Sequence, residues 1–494
     1  MRLKPKRINI KTGNKYIAVL SVNTALKLDL HAGDRIYIVN TTDGKKDITA
    51  ILDVSESYFP DDALGLFAET YSKLECKPGH DVVISVAEKP LSTLYIKKKL
   101  QGLRLTEKEI DAIIFDVVDD NYSDIEMTYF VSGCYTHGLN NEETAALTRS
   151  IVRHGSKLTF TKNKIIVDKH CIGGVPGNRT TMIVVPIITS CGLSMPKTSS
   201  RAITSPAGTA DTMEVLANVI NDATKLKKIV KKVNGFITWG GGVDLAAADD
   251  SMIRVRNPLS LDPEGMLLAS IMAKKHSVSA NHILIDIPIG PQVKIGTPSQ
   301  GLHLKKRFLK LGKLLGMKVE VMFSDGSQPI GNGIGPLLEA LDVIKVLKNE
   351  SDQPLDLRKK GVKMAGMLLE MTKKTKKGEG EKYAEEIIKS GKAWKQMQRI
   401  IDAQGRKKIP QLAPYTFNII AKKKGIIKEI NNKMISRIAR MAGAPMAHQA
   451  GLYLHKKLND TVKKGEKLAT IYASSPDRLK YAVEYVLHND AYKI

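Results

Sequence analysis

Residues 168–181, DKHCIGGVPGNRTT, lie between a short apolar run, KIIV (164–167), and an apolar helical stretch, TTMIVVPIITS (180–190). Glycine lets the backbone approach an anion closely, and the N–H groups at a helix start point outward with a dipole that favours negative charge. Lys169 and Arg179 add positive charge, and two threonines offer hydroxyl donors. The segment is typical of a phosphate loop, although many glycine-rich turns are purely structural and no Walker A ending, GK[ST], follows.

A second polar segment, SSRAITSPAGTAD (199–211), follows the strand-like run MPKT (195–198) and precedes a helix expected from about Thr209. It carries five hydroxyls, one arginine and little bulk. A polar surface loop has the same composition, so this segment alone decides nothing. Two such loops in successive strand–helix units are more informative, because the carboxyl ends of neighbouring parallel strands share one crevice. We therefore expect both loops to surround one anionic ligand.

The alternation of apolar runs and amphipathic helices around these loops predicts an α/β layer. GFITW (235–239) and HILIDIPI (282–289) are expected to be further buried strands. A β-rich segment and then a helical lobe precede the layer, and an α+β domain follows it. The predicted boundaries are 1–85 for the β-rich N-terminal domain, 86–155 for the helical lobe, 156–345 for the α/β phosphate- and nucleotide-binding domain, 346–410 for a helical connection and 411–494 for the C-terminal α+β domain.

The helical lobe carries three pairs of residues at capping-box spacing, which predict three helix starts. The pairs are Thr106 with Glu109, Ser123 with Glu126 and Asn140 with Glu143. Further on, the charged segment TKKTKKGEGEK (372–382) is expected to be an exposed loop between helices.

The chain has 494 residues and a formal net charge of +25, and its four cysteines have no CxxC spacing. No apolar run reaches the roughly 20 residues that span a bilayer, so a cytoplasmic protein with reduced thiols is expected. The positive charge fits either nucleic-acid binding or attraction of small anions. Because the charge is spread along the chain and aromatic residues make up only 5%, we favour small anions and expect no specific nucleic-acid partner.

DKHCIGG followed by SRAITSPAGTADT resembles the nucleoside phosphorylase family that contains thymidine phosphorylase. LASIMAKK (268–275) is similar to that family's SIMSKK helix, and DGSQPIGNGIGPLLEALD (325–342) to its DxNQPxG segment. The resemblance covers roughly residues 90–494. It implies a nucleoside phosphorylase/phosphoribosyltransferase-like fold, a homo-oligomer of two or more copies, inorganic phosphate as co-substrate and no other cofactor.

Where this sequence departs from thymidine phosphorylases, it resembles the archaeal branch of the family, which acts on AMP. Cys171 and Ile172 replace a Ser-Thr pair, and the second loop reads SSRAITSPAGT in place of a GRGLGHTGGT-like string. The arginine that contacts the pyrimidine falls near Val255, although Arg254 and Arg256 flank it. An additional domain precedes residue 85. The resemblance therefore implies conversion of AMP and phosphate to adenine and ribose 1,5-bisphosphate, with CMP and UMP as further substrates.

Phosphorolysis needs a proton donor for the leaving base, and two residues are candidates. Asp262 precedes Pro263, and from the residues alone a plain helix N-cap is the better interpretation. The resemblance reverses this, because it places Asp262 in the base pocket. His170 is the second candidate, as an acid or as a group that orients phosphate; on the residues alone it could also satisfy only local backbone groups.

The remaining site residues follow from the resemblance. Inorganic phosphate is assigned to Lys169 and Thr180, near Gly174, and Lys274 to the base pocket. The resemblance implies that Ser270 also contacts the base. Helical spacing places Ser270 and Lys274 near one face, where both could equally be ordinary helix residues. The residues expected to bind AMP are Gly174, Ser200, Arg201, Ala202, Ile203, Thr204, Ser205, Thr209, Ser270 and Lys294.

Three other functions stay open on the sequence. The nearest is a pyrimidine-nucleoside phosphorylase acting on thymidine or uridine. A phosphoribosyltransferase such as anthranilate phosphoribosyltransferase would need Mg²⁺ and paired carboxylates near the loops. A nucleic-acid-binding protein would exploit the positive charge. No metal site is predicted, and the pair Asp249-Asp250 is expected to be surface charge.

Overall fold

The computed structural model describes residues 1–13, 15–42, 46–57, 59–160, 165–202, 205–242, 247–259 and 261–494. They form two compact units. The first comprises Met1–Leu103 with Phe115–Gly133, and the second Arg104–Ile114 with Cys134–Ile494. No helix in the described part of the chain is long and apolar enough to cross a membrane.

A closed barrel with the strand order β1-β5-β2-β4-β3-β6 is the core of the first unit. Its elements are β1 (Arg2–Ile8), β2 (Ile17–Ser21), α1 (Val22–Lys27), β3 (Arg35–Asn40), β4 (Asp47–Ser55), β5 (Ala63–Phe67), α2 (Ala68–Lys73) and β6 (Val82–Val86). Side chains alternate between the inside and the outside, as in β3, where Ile36 and Ile38 are buried and Tyr37 is exposed. Closure removes the free strand edges that an open sheet would present.

Four helices follow the barrel along the chain: α3 (Thr93–Leu100), α4 (Glu107–Val118), α5 (Asp124–His137) and α6 (Asn141–Arg153). The predicted N-terminal caps are present. Glu109 accepts from the Thr106 N–H at 2.7 Å, Glu126 from the Ser123 N–H at 2.9 Å, and Glu143 from the Asn140 N–H at 2.9 Å. These local bonds satisfy backbone groups at the helix starts, which is why the sequence alone locates them.

The second unit contains a parallel sheet of β7 (Val167–Cys171), β8 (Met195–Ser199), β9 (Gly235–Trp239), β10 (His282–Ile289) and β11 (Lys318–Asp325). One set has the order β11-β10-β7 and the other is β8-β9. A parallel bridge between Ile166 and Ser194 joins the two sets. The helices of this layer are α7 (Thr181–Ser190), α8 (Thr209–Glu214), α9 (Ala223–Val233), α10 (Ala247–Arg256), α11 (Glu264–His276) and α12 (Pro298–Leu314), and α11 packs against α6.

The predictions of β9 and β10 coincide with the observed strands, and that of β8 differs by one residue at its end. The first strand was placed wrongly: KIIV was expected to end at Val167, where β7 begins. The cause is that the charged residues Asp168 and Lys169 lie inside the strand, buried. Such residues are found in a strand core only when they are paired, and their partners are distant in the sequence.

Helices α13 (Pro336–Lys348), α14 (Leu355–Met371), α15 (Gly380–Lys389) and α16 (Lys392–Gln404) follow. A charged loop lies between α14 and α15 as predicted, but it is shorter than 372–382, because α15 already begins at Gly380. The C-terminal part adds a sheet with the order β12-β16-β18-β13. Its elements are β12 (Gly333–Ile334), β13 (Tyr415–Ile420), β14 (Gly425–Ile426), β15 (Glu429–Ile430), α17 (Asn432–Met441), β16 (Gly451–Leu454), β17 (Thr461–Val462), β18 (Lys467–Ala473), α18 (Pro476–His488) and β19 (Tyr492–Lys493). Because β12 pairs with β16, segment 325–342 contributes a strand to the C-terminal sheet.

Candidate active site

Both predicted loops leave the same edge of the parallel sheet. Cys171 is in register with Asp286 on β10, and Ser199 with Trp239 on β9. The loop after β7, residues 172–180, is called loop one, and the loop after β8, residues 200–208, is called loop two. Parallel strands present their carboxyl ends together, so this edge is where an α/β sheet forms its ligand crevice.

Arg179, at the end of loop one, ties the two loops together. Its Nη2 group donates to the Ala207 carbonyl oxygen at 2.7 Å and its Nη1 group to Thr209 Oγ1 at 3.0 Å. Its Nε group donates to the buried carboxylate of Glu339. The two loops therefore converge, as predicted. These bonds give Arg179 a structural role inside the protein, and its contribution of positive charge to an anion stays a prediction.

Gly174 brings loop one against the chain that follows β10. Its φ of +94° lies in the region that favours glycine, and a Cβ atom there would be 2.9 Å from the Val293 Cα atom. The neighbouring Lys294 extends its Nζ atom to 3.1 Å from Asp262 Oδ2. Gly174, Lys294 and Asp262 are thus linked by successive contacts, although they are far apart in the sequence.

The ammonium group of Lys169 lies under loop one. Its Nζ atom donates to Thr180 Oγ1 at 2.7 Å, and that hydroxyl donates to Asn178 Oδ1 at 3.1 Å. Burial lowers the pKa of Lys169 to about 8, and the nearby cations Lys360 and Arg179 act in the same direction. The two residues assigned to inorganic phosphate are therefore in direct contact.

Asp262 is half exposed, and the helix after it begins at Glu264 with Pro263 in the N-cap position. Pro263 makes no side-chain cap bond. The interpretation of Asp262 as a plain N-cap is therefore wrong, because its carboxylate lies one residue too early. The carboxylate faces Lys294 instead, which is also about half exposed, and both groups remain accessible to a ligand.

Ser270 and Lys274 meet at one buried carboxylate, that of Asp249. The Ser270 hydroxyl donates to Asp249 Oδ2 at 2.7 Å, and the Lys274 Nζ atom is 2.7 Å from the same oxygen. Arg256 Nη2 is 4.0 Å from Asp249 Oδ1. The expectation that Asp249 is surface charge is wrong: its side chain is 2% exposed, since three polar groups of α10 and α11 compensate its burial.

Three family models match consecutive parts of the chain. They are the glycosyl transferase family helical bundle domain over residues 93–155, the glycosyl transferase family a/b domain over 163–260 and the pyrimidine nucleoside phosphorylase C-terminal domain over 426–493. An AMP phosphorylase from Methanococcoides burtonii is 41% identical, with 98% of this chain and 95% of that protein covered. The chain belongs to the thymidine and AMP phosphorylase family.

Other relatives of this phosphorylase are similarly close. An AMP phosphorylase from Methanosarcina barkeri is 41% identical over 98% of this chain and 95% of its own length. A putative thymidine phosphorylase from Hahella chejuensis is 40% identical over 97% of this chain and 95% of its own length. The family assignment is therefore independent of the choice of relative.

Solved structures of anthranilate phosphoribosyltransferases share the fold of this family member. The enzyme from Thermus thermophilus superposes with a TM-score of 0.52 at 17% identity, covering 63% of this chain and 98% of its own. The enzyme from Saccharomyces cerevisiae gives 0.50 at 16% identity, covering 63% and 97%. The expected fold class, with its helical lobe, α/β layer and C-terminal α+β domain, is confirmed.

Sequence reasoning missed a set of buried charges beneath the phosphorylase loops. Asp168 lies 2.7 Å from the Lys275 Nζ atom and 3.2 Å from that of Lys197. Asp286 lies 2.7 Å from the Lys360 Nζ atom. Burial favours the neutral acids, but these lysines hold the pKa of both carboxyl groups below its ordinary value. The sequence did carry one sign of these buried charges, because a lysine within an apolar strand, such as Lys197 in MPKT, needs a buried acidic partner.

These lysines also act on His170, the second candidate acid. Burial lowers the pKa of His170 well below its ordinary value, and Lys275, Lys197, Lys274 and Lys169 lower it further. The neutral form of its imidazole is therefore favoured. A neutral imidazole can orient a ligand through a hydrogen bond, but it is a weaker proton donor than an imidazolium.

Loop two is held by the carboxylate of Asp211, another residue that sequence reasoning missed. Asp211 Oδ2 accepts from the backbone N–H groups of Ala202 at 2.7 Å and Gly208 at 2.8 Å. The Ser205 hydroxyl donates to the Ala207 carbonyl oxygen at 3.1 Å. Ser200 begins the loop as an exposed residue. Ile203 and Thr204, both predicted to bind AMP, lie outside the described residues.

Proposed function

We propose that this protein catalyses the phosphorolysis of nucleoside 5′-monophosphates, converting AMP and phosphate to adenine and ribose 1,5-bisphosphate. The observation that carries the proposal is the Arg179 link between loop one and loop two. This link brings two loops of phosphate-binding composition to a single crevice. The proposed reaction requires two phosphate sites, one for the 5′-phosphate of AMP and one for inorganic phosphate. A nucleoside phosphorylase requires only the site for inorganic phosphate.

In this proposal the two loops have separate tasks. Lys169 and Thr180, with Gly174, hold inorganic phosphate beside C1′ of the ribose. The 5′-phosphate is assigned to loop two and the start of α8, through Ser200, Arg201, Thr204, Ser205 and Thr209. A phosphate oxygen forms the new bond to C1′ as the C1′–N bond breaks, and the electron pair of the broken bond leaves with the base. Ser270, Lys274 and Lys294 would complete the contacts to the nucleotide.

The leaving base requires a proton, and we assign its donation to Asp262, with His170 in an orienting role. A carboxyl group retains its proton when anions lie near it and loses it more readily beside a cation. Lys294 faces Asp262 at 3.1 Å. If Lys294 turns to the nucleotide, this ion pair opens and the half-exposed Asp262 carboxyl group is free to face the leaving base.

A chromatographic assay of base release tests the function. The protein is incubated with phosphate and separately with AMP, CMP, UMP, adenosine or thymidine. We expect free base from AMP and no release without phosphate. Release from adenosine or thymidine but not from AMP would replace the proposal with a nucleoside phosphorylase. Tight, salt-sensitive RNA or DNA binding without any release would favour the nucleic-acid-binding alternative.

A cytoplasmic location and homo-oligomeric assembly remain part of the proposal.

Phosphate binding is expected to weaken as the pH rises through about 8. The pKa of Lys169 is lowered to about 8, so the ammonium form predominates below that pH and the neutral amine above it. The KM for phosphate should therefore increase between about pH 7.5 and about pH 9.5. In the Lys169→Arg variant the guanidinium stays charged across this range, so its KM should be higher but flat. A wild-type KM that is constant with pH would contradict the assignment of Lys169.

A further inference from the structure

Glu214, the last residue of α8, makes a two-point contact with Arg201 of loop two. Arg201 Nη1 donates to Glu214 Oε2 at 2.5 Å and Arg201 Nη2 to Glu214 Oε1 at 3.0 Å. The Glu214 side chain is 14% exposed and that of Arg201 is 32% exposed. A two-point pair of this kind fixes the plane of a guanidinium as well as its position.

Asp211 and Glu214 lie three residues apart on α8 and have different tasks. Asp211 binds backbone N–H groups of loop two and also accepts from Arg201 Nη1 at 3.1 Å. The partners described for Glu214 are all side chains. Besides Arg201, they are Lys407 at 3.7 Å and His448 at 3.9 Å. Asp211 thus holds the loop backbone, whereas Glu214 acts on the guanidinium.

The guanidinium held in this way lies over an aromatic ring and keeps unused donors. The Arg201 Cζ atom is 5.1 Å from the centroid of the Trp239 ring. A guanidinium has five N–H groups, and the bonds to Asp211 and Glu214 within the described chain use three of them. Lys407 supplies a second cation to Glu214, so Arg201 is not the sole counter-charge of that carboxylate.

We propose that Glu214 is the positioning residue for recognition of the 5′-phosphate, because it fixes the Arg201 guanidinium on Trp239 as a pre-organised donor at loop two. This inference rests on the proposed function. A free arginine side chain has many rotamers, and ordering it when the substrate binds costs affinity. Glu214 imposes that order before binding. In the opposite model Glu214 competes with the phosphate for Arg201, and the two models predict opposite effects of removing its charge.

Glu214→Gln is the central variant, since the amide keeps the shape but weakens the pair. We expect the KM for AMP to rise roughly tenfold, the size expected for one charge-assisted hydrogen bond. The kcat for AMP and the KM for inorganic phosphate should stay within about twofold, because Lys169 and Asp262 do not contact Glu214. An unchanged or lowered KM for AMP, or an equal rise in both KM values, would overturn the proposal.

A double variant shows whether Glu214 acts through Arg201. If it does, Arg201→Ala with Glu214→Gln should have the same KM for AMP as Arg201→Ala alone. Multiplication of the two single effects would show that the residues act independently and would refute the proposal. Glu385→Gln is the matched control, because Glu385 also makes a two-point contact with an arginine, Arg358, outside the loops. It should leave the KM for AMP unchanged.

Fluorescence separates a failure of this inference from a failure of the proposed function. The chain has two tryptophans, Trp239 and Trp394, so Trp394→Phe leaves Trp239 as the single emitter. Adding Glu214→Gln to that variant should change the emission of the ligand-free protein as the guanidinium leaves the ring. Unchanged emission would overturn the positioning role whatever the substrate is. Changed emission without release of base from AMP would preserve the positioning role and refute the function.

Discussion

Asp262→Asn is expected to lower the kcat for AMP phosphorolysis by roughly 10²- to 10⁴-fold, the usual contribution of a general acid. The amide cannot transfer a proton to the leaving adenine, and the adenine anion is a poor leaving group. The side chain is half exposed and its described partner is Lys294, so the fold should not change. The measurement is the rate of adenine release at saturating AMP and phosphate, with the unfolding midpoint recorded for each variant.

Two companion variants make the Asp262 result interpretable. Asp402→Asn is the matched control, because Asp402 is also an exposed partner in an ion pair, 2.7 Å from Arg406, and lies outside the site. Its kcat should be unchanged. His170→Asn should lower the kcat less than Asp262→Asn, because burial and the neighbouring lysines lower the pKa of His170 and favour the neutral imidazole. Near-normal turnover of Asp262→Asn, or a larger loss in His170→Asn, would transfer the acid role to His170.

Arg179→Met is expected to lower the free energy of unfolding by about 3–5 kcal/mol, because it leaves the buried Glu339 carboxylate without its cation. Burial already raises the pKa of Glu339, so the carboxylate is costly without its partner. The variant also removes the bonds to Ala207 and Thr209. We therefore expect kcat/KM for AMP to fall as well. Urea denaturation and steady-state kinetics measure the two effects.

Arg149→Met is the control for stability. Arg149 pairs with Glu107 at 2.7 Å, but both side chains are at least one-third exposed, and such pairs contribute at most about 1 kcal/mol. In the double variant Arg179→Met, Glu339→Gln, the free energy of unfolding should largely recover, because no unpaired carboxylate remains buried. The kcat/KM for AMP should stay low, because the hydrogen bonds of Arg179 to Ala207 and Thr209 are still missing. A stability loss in Arg179→Met no larger than in Arg149→Met would refute the role of this link.

Much of the fold could be predicted because the relevant interactions are local. The caps of α4 and α6 join residues three apart, and β9 and β10 are apolar runs with boundaries marked by polar residues. The first strand of the layer was misplaced because Asp168 and Lys169 look like loop residues until their buried partners are known. The roles of the site residues remain predictions, supported by contacts such as Lys169 with Thr180 and Lys294 with Asp262.

By itself, the sequence determined the α/β layer, the two polar loops that follow its strands and the family to which they belong. These depend on periodicity, turn chemistry and short motifs, which are encoded within a few residues. Only the tertiary structure decided which charges meet: Arg179 with Glu339, Asp249 with Lys274, and Glu214 with Arg201. The partners are 13 to 160 residues apart, and burial, which makes such pairs matter, arises only when distant segments pack together.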